Sequence, residues 1–377
     1  MIPELRKSSR GKLWFCLLFL LQIQIVGTTS AEAWVPDSSD VSKWRNPHSF
    51  ILQEEDLRSI DHEDFPDLLG LMPGSYPLDF AGFSQSLRGQ VMGLPTQTVH
   101  LRFRNREIRD HLLGSPELGW IPPEALSRVV FDPFSLQSPG ALISADLRNL
   151  EPVPPSSRMA TRDGYYGLGT VDFDLAQKIT PQLTLNGGGR VATYDGRLYH
   201  SEGYGLNLRS EVVFRDSSGI RGWGGIMQNK QNSQVPFSSI NHNRDRYDAD
   251  AAITFRPLTF HLYGVQQRET YGSGDADSWN ELGVQCSAAK QLKALEVSAA
   301  GFISTARWRL KTQNWQTTTF GGIETHANLT VNKTWKLDLL AGLETFDDFP
   351  PARRLGISLN GMVTPWLGFT MGSTQHQ

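Results

Sequence analysis

The residues able to do chemistry are scattered, and few stand at a spacing that chemistry requires. His48 and His62 are fourteen positions apart, among Glu55, Asp61, Glu63 and Asp64. A zinc-type site needs imidazole or carboxylate ligands paired at short, regular intervals, and this spacing supplies none. The stretch reads as a solvated acidic surface, and no metal is expected. Asn241, His242, Asn243 and Arg244, followed by Asp245, form a dense run of donors and acceptors. It reads as a polar external loop and as the candidate ligand-contact segment, because loops carry much of binding function. Gly164-Tyr165-Tyr166-Gly167-Leu168-Gly169 has the glycine density of a phosphate loop. It leads into an alternating segment rather than a helix, so no helix N-terminus is there to hold an anion. It is read instead as the first strand of the following region. No Gly-x-Ser-x-Gly elbow occurs, and Asp347-Asp348 is read as a loop tip. No catalytic residue and no cofactor is assigned, and the expectation is a protein without enzymatic activity.

The elements that must position any site begin with an export signal. Arg6, Lys7, Arg10 and Lys12 precede an apolar run from Leu13 to Val26, and Ala31-Glu32-Ala33 offers a small-x-small cleavage site. That order predicts a secretory signal peptide over residues 1–33, cut after Ala33. The run is shorter than the roughly 20 apolar residues of a spanning helix. Removing residues 1–33 would take four of the 36 basic and two of the 39 acidic residues, leaving a formal net charge of −5. With no basic stripe, nucleic acid is not an expected partner. Cys16 falls in the signal, so Cys286 alone remains and excludes an intrachain disulfide in the mature chain. No later segment is apolar enough for a membrane helix. If the chain enters a membrane it must do so as a closed barrel, the other structure that satisfies every backbone group internally.

Beyond a linker at 34–47, the texture divides in two. Over 48–150 it is mixed. Leu57, Ile60, Phe65, Leu68, Leu69 and Met72 recur at helical spacing until Pro73-Gly74. Val99 to Phe103 alternates as a strand, Asn105 supplies a turn, and Leu126 to Phe131 reads as another strand. Over 160–377 period-two alternation dominates: Val171, Phe173 and Leu175; Leu258, Phe260 and Leu262; Leu337 and Leu339; Ile357 and Leu359; Leu367, Phe369 and Met371. The intervening positions are polar, as an aqueous lumen requires. Tyr194, Trp223, Tyr247, Trp279, Trp308, Trp315 and Trp335 lie near expected strand ends, which suits interfacial girdles. Short connections at Thr180-Pro181 and Pro257 alternate with a long one from Gln228 to Arg246. The expected class is mainly β: a small α+β domain followed by an antiparallel transmembrane β-barrel.

Residues 48–150 resemble the plug domain of the TonB-dependent outer-membrane receptors. The likeness lies in the order of its pieces: the segment 50–60, the acidic-Leu-Leu stretch 64–74 ending in Pro73-Gly74, Ser86-Leu87-Arg88-Gly89, the strand–turn–strand 98–110, and 118–135 with its Ile-Pro step. By that resemblance Pro73, Gly74, Arg88, Gly89 and Asn105 are the plug-motif residues, and Arg88 would make polar contacts within the plug or against the barrel wall. The chain departs from the pattern where Arg104-Asn105-Arg106 replaces the usual Asp-Gly turn, and where Phe131-Asp132-Pro133 replaces Arg-Gly-Pro. No TonB box is evident between Trp34 and Pro47.

The resemblance implies a receptor or transporter in the outer membrane, with lipid and a small nutrient as partners and TonB as the source of energy. The alternatives are a porin-like channel, or a non-conducting outer-membrane binding protein without TonB coupling. At about ten residues per strand, the 160–377 region supplies about ten to twelve strands. That is too few to enclose a plug, so the barrel is expected to be incomplete in this chain.

Overall fold

The computed structural model describes residues 49–376 except 61, 63, 79–87, 94, 105, 109–115, 134, 136–140, 149–154, 197–201, 236–237, 239, 256, 273, 275, 312, 332–334, 347–348 and 365–366. At 88, 97, 346, 349–351, 354 and 360–376 it describes the backbone alone. The signal, the linker, Asn105 and Asp347-Asp348 therefore lie outside the described residues.

The first region is a small sheet with two helical turns. Its strands are β1 (Phe50–Gln53), β4 (Val99–Phe103), β5 (Arg106–Ile108), β6 (Leu126–Asp132) and β7 (Ala141–Leu147), in spatial order β1-β6-β7-β4-β5. β4 and β7 run parallel, and the other pairs are antiparallel. β2 (Ser75–Leu78) and β3 (Arg88–Val91) form a separate ribbon. The helical spacing read over 54–72 resolves into two short helices, α1 (Glu54–Ser59) and α2 (Phe65–Gly70). Ile60 and Asp64 take extended backbone, and Asp64 caps α2 by accepting from the Asp67 amide at 3.3 Å. An N-cap carboxylate satisfies a helix-end amide that otherwise lacks a partner, so it restarts the helix there. Leu57, Phe65, Leu68 and Leu69 bury one face against Val99, Leu101, Val129 and Ile143 to form the core. Each such side chain contributes roughly 1.5–3 kcal/mol on burial.

The second region is a single antiparallel meander of 13 strands, β8 (Ser156–Asp163) to β20 (Leu367–His376), each paired with its neighbours in sequence. Tight turns such as Lys293-Ala294 join strands at one rim; longer connections such as 195–202 and 235–240 join them at the other. The alternation read from the sequence becomes two faces. In β13 (Asn241–Phe255), His242, Arg244, Arg246 and Asp248 face the first region and are buried. Tyr247, Ala249, Ala251, Ile253 and Phe255 face away. The outward face continues through Phe173, Leu208, Phe214, Phe260, Leu262 and Ile303, and Ile226 is 66% exposed. A large exposed apolar face of this extent belongs against another apolar phase.

Three readings are corrected here. The glycine-rich 164–169 is not the first strand. β8 precedes it, and Gly164 to Leu168 is a turn in which Tyr166 and Gly167 take positive φ of 57° and 71°. β8 escaped notice because its Ser, Arg and Thr residues carry almost no apolar alternation, and its inclusion raises the strand number to 13. Trp279 is not in a girdle: it is fully buried on the inner face, beneath the guanidinium of Arg246. Trp223 likewise faces inward, under Arg104. In both cases a buried guanidinium, from a nearby wall strand for Trp279 and from the first region for Trp223, turns an amphipathic ring into a packing surface.

Candidate functional site

The concave face of the meander holds the first region, and their seam concentrates the buried charge of the molecule. The hairpin between β4 and β5 reaches into the wall. Arg106 donates to Asp248 at 2.9 Å and lies 3.3 Å from Asp250, with its guanidinium 4.8 Å from the Tyr263 ring. Burial works against its charge, but the two carboxylates outweigh that and raise its pKa. Arg104, at the same hairpin tip, pairs with Glu211 and stacks 4.2 Å over Trp223. Its φ of 54° is unusual outside glycine. Burial lowers its pKa to about 10, which leaves it charged at neutral pH.

On the wall the pairing continues along β13 and β14 (Leu258–Tyr271). Arg246 binds Asp248 through two nitrogens at 2.7 and 2.9 Å and donates to Gln267 at 3.2 Å. Arg244 binds Glu269 at 3.2 Å and reaches across the seam to Glu117 at 3.0 Å. Trp120 lies beneath Arg244 at 4.6 Å. His242 stacks on Tyr271 at 4.2 Å, with rings 6° from parallel. Alternate residues of one strand thus place His242, Arg244, Arg246 and Asp248 on one buried face, as period two requires.

A second cluster joins the other side of the seam. Glu124, in the turn Pro123–Ala125, takes Arg190 of β10 (Leu183–Tyr194) at 2.5 Å, with Arg162 of β8 at 3.8 Å and His62 at 3.7 Å. Arg148, just past β7, bridges Glu54 at 2.8 Å and Asp174 of β9 (Gly169–Thr180) at 3.3 Å. Burial lowers the Arg148 pKa, and Glu54 partly restores it. A small cavity at the seam is lined by Phe103, Leu147 and Met227 together with Arg104, Arg148 and Arg209.

The residues singled out in the sequence fare differently. Asn241, His242, Asn243 and Arg244 are not a loop but the first four residues of β13, all paired with β12 and, from His242 onward, with β14 as well. The connection is confined to 235–240. A polar run looked like a loop because this end of the strand is polar on both faces. His242 and Arg244 belong to the seam, whereas Asn241 is exposed and Asn243 lies on the opposite face. Gly74 turns the chain at φ 75° after Pro73. Gly89 is needed for space: a Cβ there would stand 2.5 Å from Leu69 Cδ1. Arg88 lies in β3, and its side chain is outside the described residues. Sequence reasoning missed Glu117, Trp120, Glu124, Arg190, Arg246 and Asp248. The signal for part of this set was available: Arg244, Arg246, Asp248 and Asp250 repeat at i, i+2 inside a strand pattern, where charge needs a buried partner. Among the described residues, no group of three or more His, Cys, Asp or Glu side chains is arranged to hold a metal ion.

No protein-family model matches the sequence, and no curated protein sequence matches it. Solved structures do match in fold. The siderophore receptor PirA from Pseudomonas aeruginosa superposes with a TM-score of 0.72 at 11% identity, over 88% of this chain and 62% of its own. A substituted form of the ferric enterobactin receptor PfeA from Pseudomonas aeruginosa gives 0.69 at 9%, over 90% and 63%. The copper transporter OprC gives 0.65 at 12%, over 88% and 60%. The chain thus spans under two thirds of the length of each. At these identities the likeness speaks for the fold alone, and the fold is that of the TonB-dependent receptors, a plug seated against the inner face of an antiparallel β wall.

Proposed function

We propose that this chain is the plug and part of the wall of an outer-membrane receptor that admits a small nutrient when the plug shifts. The observation that carries this reading is the seam: a folded domain held inside an apolar-backed wall largely by buried, paired charges, with Met227 of the wall joining the domain's apolar core. Apolar contact would seal the two permanently. Paired charges hold firmly while dry, yet lose little once water enters and solvates both partners. Such a contact suits a closure that must open. The names of the structural neighbours, receptors for siderophores and a copper transporter, fit a small-solute cargo. An outer-membrane address agrees with the expected signal peptide over 1–33, and energy input through TonB is part of the proposal.

The wall needs completion for this role. β8 and β20 stand at the two ends of the meander, and among the described residues each pairs on one side only. Thirteen strands of alternating direction leave these two edges running the same way, so an antiparallel closure needs an odd number of further strands between them. We propose that such strands complete the barrel, since unpaired ladder edges are not tolerated in lipid.

The test is conductance. The protein, in its complete barrel, is expressed in a Gram-negative host and recovered from the outer membrane, and single channels are recorded in planar bilayers. The wild type should conduct little, and Arg106→Ala with Glu117→Gln should open it several-fold. Equal conductance of the two, or absence from the outer-membrane fraction, would remove the proposal.

A further inference from the structure

The seam contains a buried imidazole, His62, whose surroundings are built for the neutral form. His62 follows α1 and is almost wholly buried. Its Nδ1 lies 2.9 Å from the carbonyl of Ile60, an acceptor, so Nδ1 carries the proton. Its Nε2 lies 3.4 Å from Nη1 of Arg162, which can only donate, so Nε2 must offer its lone pair. The same Arg162 nitrogen also donates to the His62 carbonyl at 3.3 Å. Both ring nitrogens are therefore matched to one neutral tautomer.

The groups facing the ring come from every neighbouring element. They are Glu124 from the Pro123–Ala125 turn, Arg162 of β8, Arg190 of β10 and, on the far side of Arg190, Asp172 of β9 at 3.7 Å from it. Asp61 and Glu63 adjoin His62 in sequence, and Asp64 is engaged in capping α2. Among the described side chains facing the ring, the guanidiniums of Arg162 and Arg190 balance the carboxylates of Glu124 and Asp172, so a neutral imidazole completes an even set. A second ring proton would set an N–H against the N–H of Arg162 and leave the cluster with an excess of positive charge. The nearest carboxylate oxygen, Oε1 of Glu124 at 3.7 Å, is already held by Arg190 at 2.5 Å.

We propose that His62 is a pH-sensitive catch between plug and wall, which releases the α1–α2 end of the plug in weakly acidic surroundings. The sign follows from linkage. Burial, with Arg162 and Arg190, lowers the pKa of His62 in the seated state, against an opposing pull from Glu124. In the released state the imidazole returns to its ordinary value near 6.5. Seating is therefore at full strength above about pH 6.5 and weakens as pH falls below it, by up to about thirty-fold at pH 5. The catch rests on the plug-and-wall reading, but its test involves no transport.

Hydrogen exchange of the full chain in detergent micelles would be followed from pH 8 to pH 5, corrected for the intrinsic exchange rate. Peptides covering α1 and α2 should lose protection by ten- to thirty-fold in the wild type, while those covering β6 hold theirs. His62→Gln keeps a donor and an acceptor but cannot take a proton, and its profile should be flat. A flat wild-type profile, an equal response in His62→Gln, or protection that rises on acidification would overturn the catch. Should the variant not assemble, the imidazole of His62 titrated by NMR in the wild type decides alone: a midpoint well below 6.5 supports the catch, and one at or above 6.5 overturns it. Failure of the conductance test with this profile intact would leave the catch standing and remove only the transport reading.

Discussion

At the scale of single residues, the weight of the seam falls on charges that cannot be removed one at a time. Arg106 sits within reach of two carboxylates in a buried setting. Truncation to alanine would leave Asp248 and Asp250 short of a cation, and orphaning a buried charge costs about 3–5 kcal/mol. The expected result for Arg106→Ala is a loss of that size in the denaturant-unfolding free energy of the seated plug, followed by the quenching of Trp120 fluorescence. Trp120 is a suitable reporter because it lies buried beneath Arg244 at the same seam. Arg106→Ala combined with Asp248→Asn should cost less than the two single changes added together, since the pair is coupled. Gly89 presents a steric case. A Cβ there would press on Leu69 Cδ1 at 2.5 Å and on Leu118 Cδ1 at 3.3 Å. Overpacking of this kind typically costs about 1–3 kcal/mol. Gly89→Val should lower the plug unfolding midpoint measured by the same fluorescence, and an unchanged midpoint would show that both leucines yield freely.

At the scale of elements, the plug helices are too short to stand by themselves. Six residues each in α1 and α2 fall well under the roughly 12–15 residues at which an isolated helix becomes marginally stable in water. Their stability comes from caps and from packing. Asp64→Ala removes the α2 cap and should cost about 1 kcal/mol. Phe65→Ala empties a fully buried position and should cost about 3–5 kcal/mol. Circular dichroism melts of the protein in detergent would compare the two, and the cap variant should be clearly the milder. The strands obey a different rule. Apart from register shifts at Leu183, Glu344 and Met362, the ladders of the wall run on without a break, so side chains are assigned to a face by parity, and the outward face takes the apolar set.

At the scale of the whole molecule, the two faces make a prediction that local structure does not. Ile226 and Asn229 both lie in β12 (Arg221–Gln234), three residues apart and on opposite faces. Arginine at Ile226 would meet lipid if the barrel reading holds. Near the bilayer midplane that costs about 2–4 kcal/mol. Arginine at Asn229 would join a polar lumen, with a cost set by crowding and not by lipid. On unheated gels of the outer-membrane fraction, the folded band of Ile226→Arg should therefore be depleted several-fold more than that of Asn229→Arg. Equal depletion would show that the exposed apolar face does not meet lipid. The same face was legible beforehand, since Val171, Phe173 and Leu175 or Phe260 and Leu262 announce it through alternation. Half of the interior was legible too, as polar positions between them.

The sequence by itself determined the period of each segment, and through it the class: helical turns then a short sheet, followed by a long two-faced meander. It did so because side-chain direction along a strand or helix follows from chain geometry and needs no partner. What it could not determine was which polar residues were loops and which were buried. Asn241 to Arg244 and Trp279 were misplaced for that reason: a polar run in a strand is recognisable only once its partners are in place. Those partners, Glu117 for Arg244 and Arg106 for Asp248, lie 127 and 142 residues away along the chain. Only the tertiary structure brought them together, because a buried ion pair is a property of two distant segments sharing one dry space.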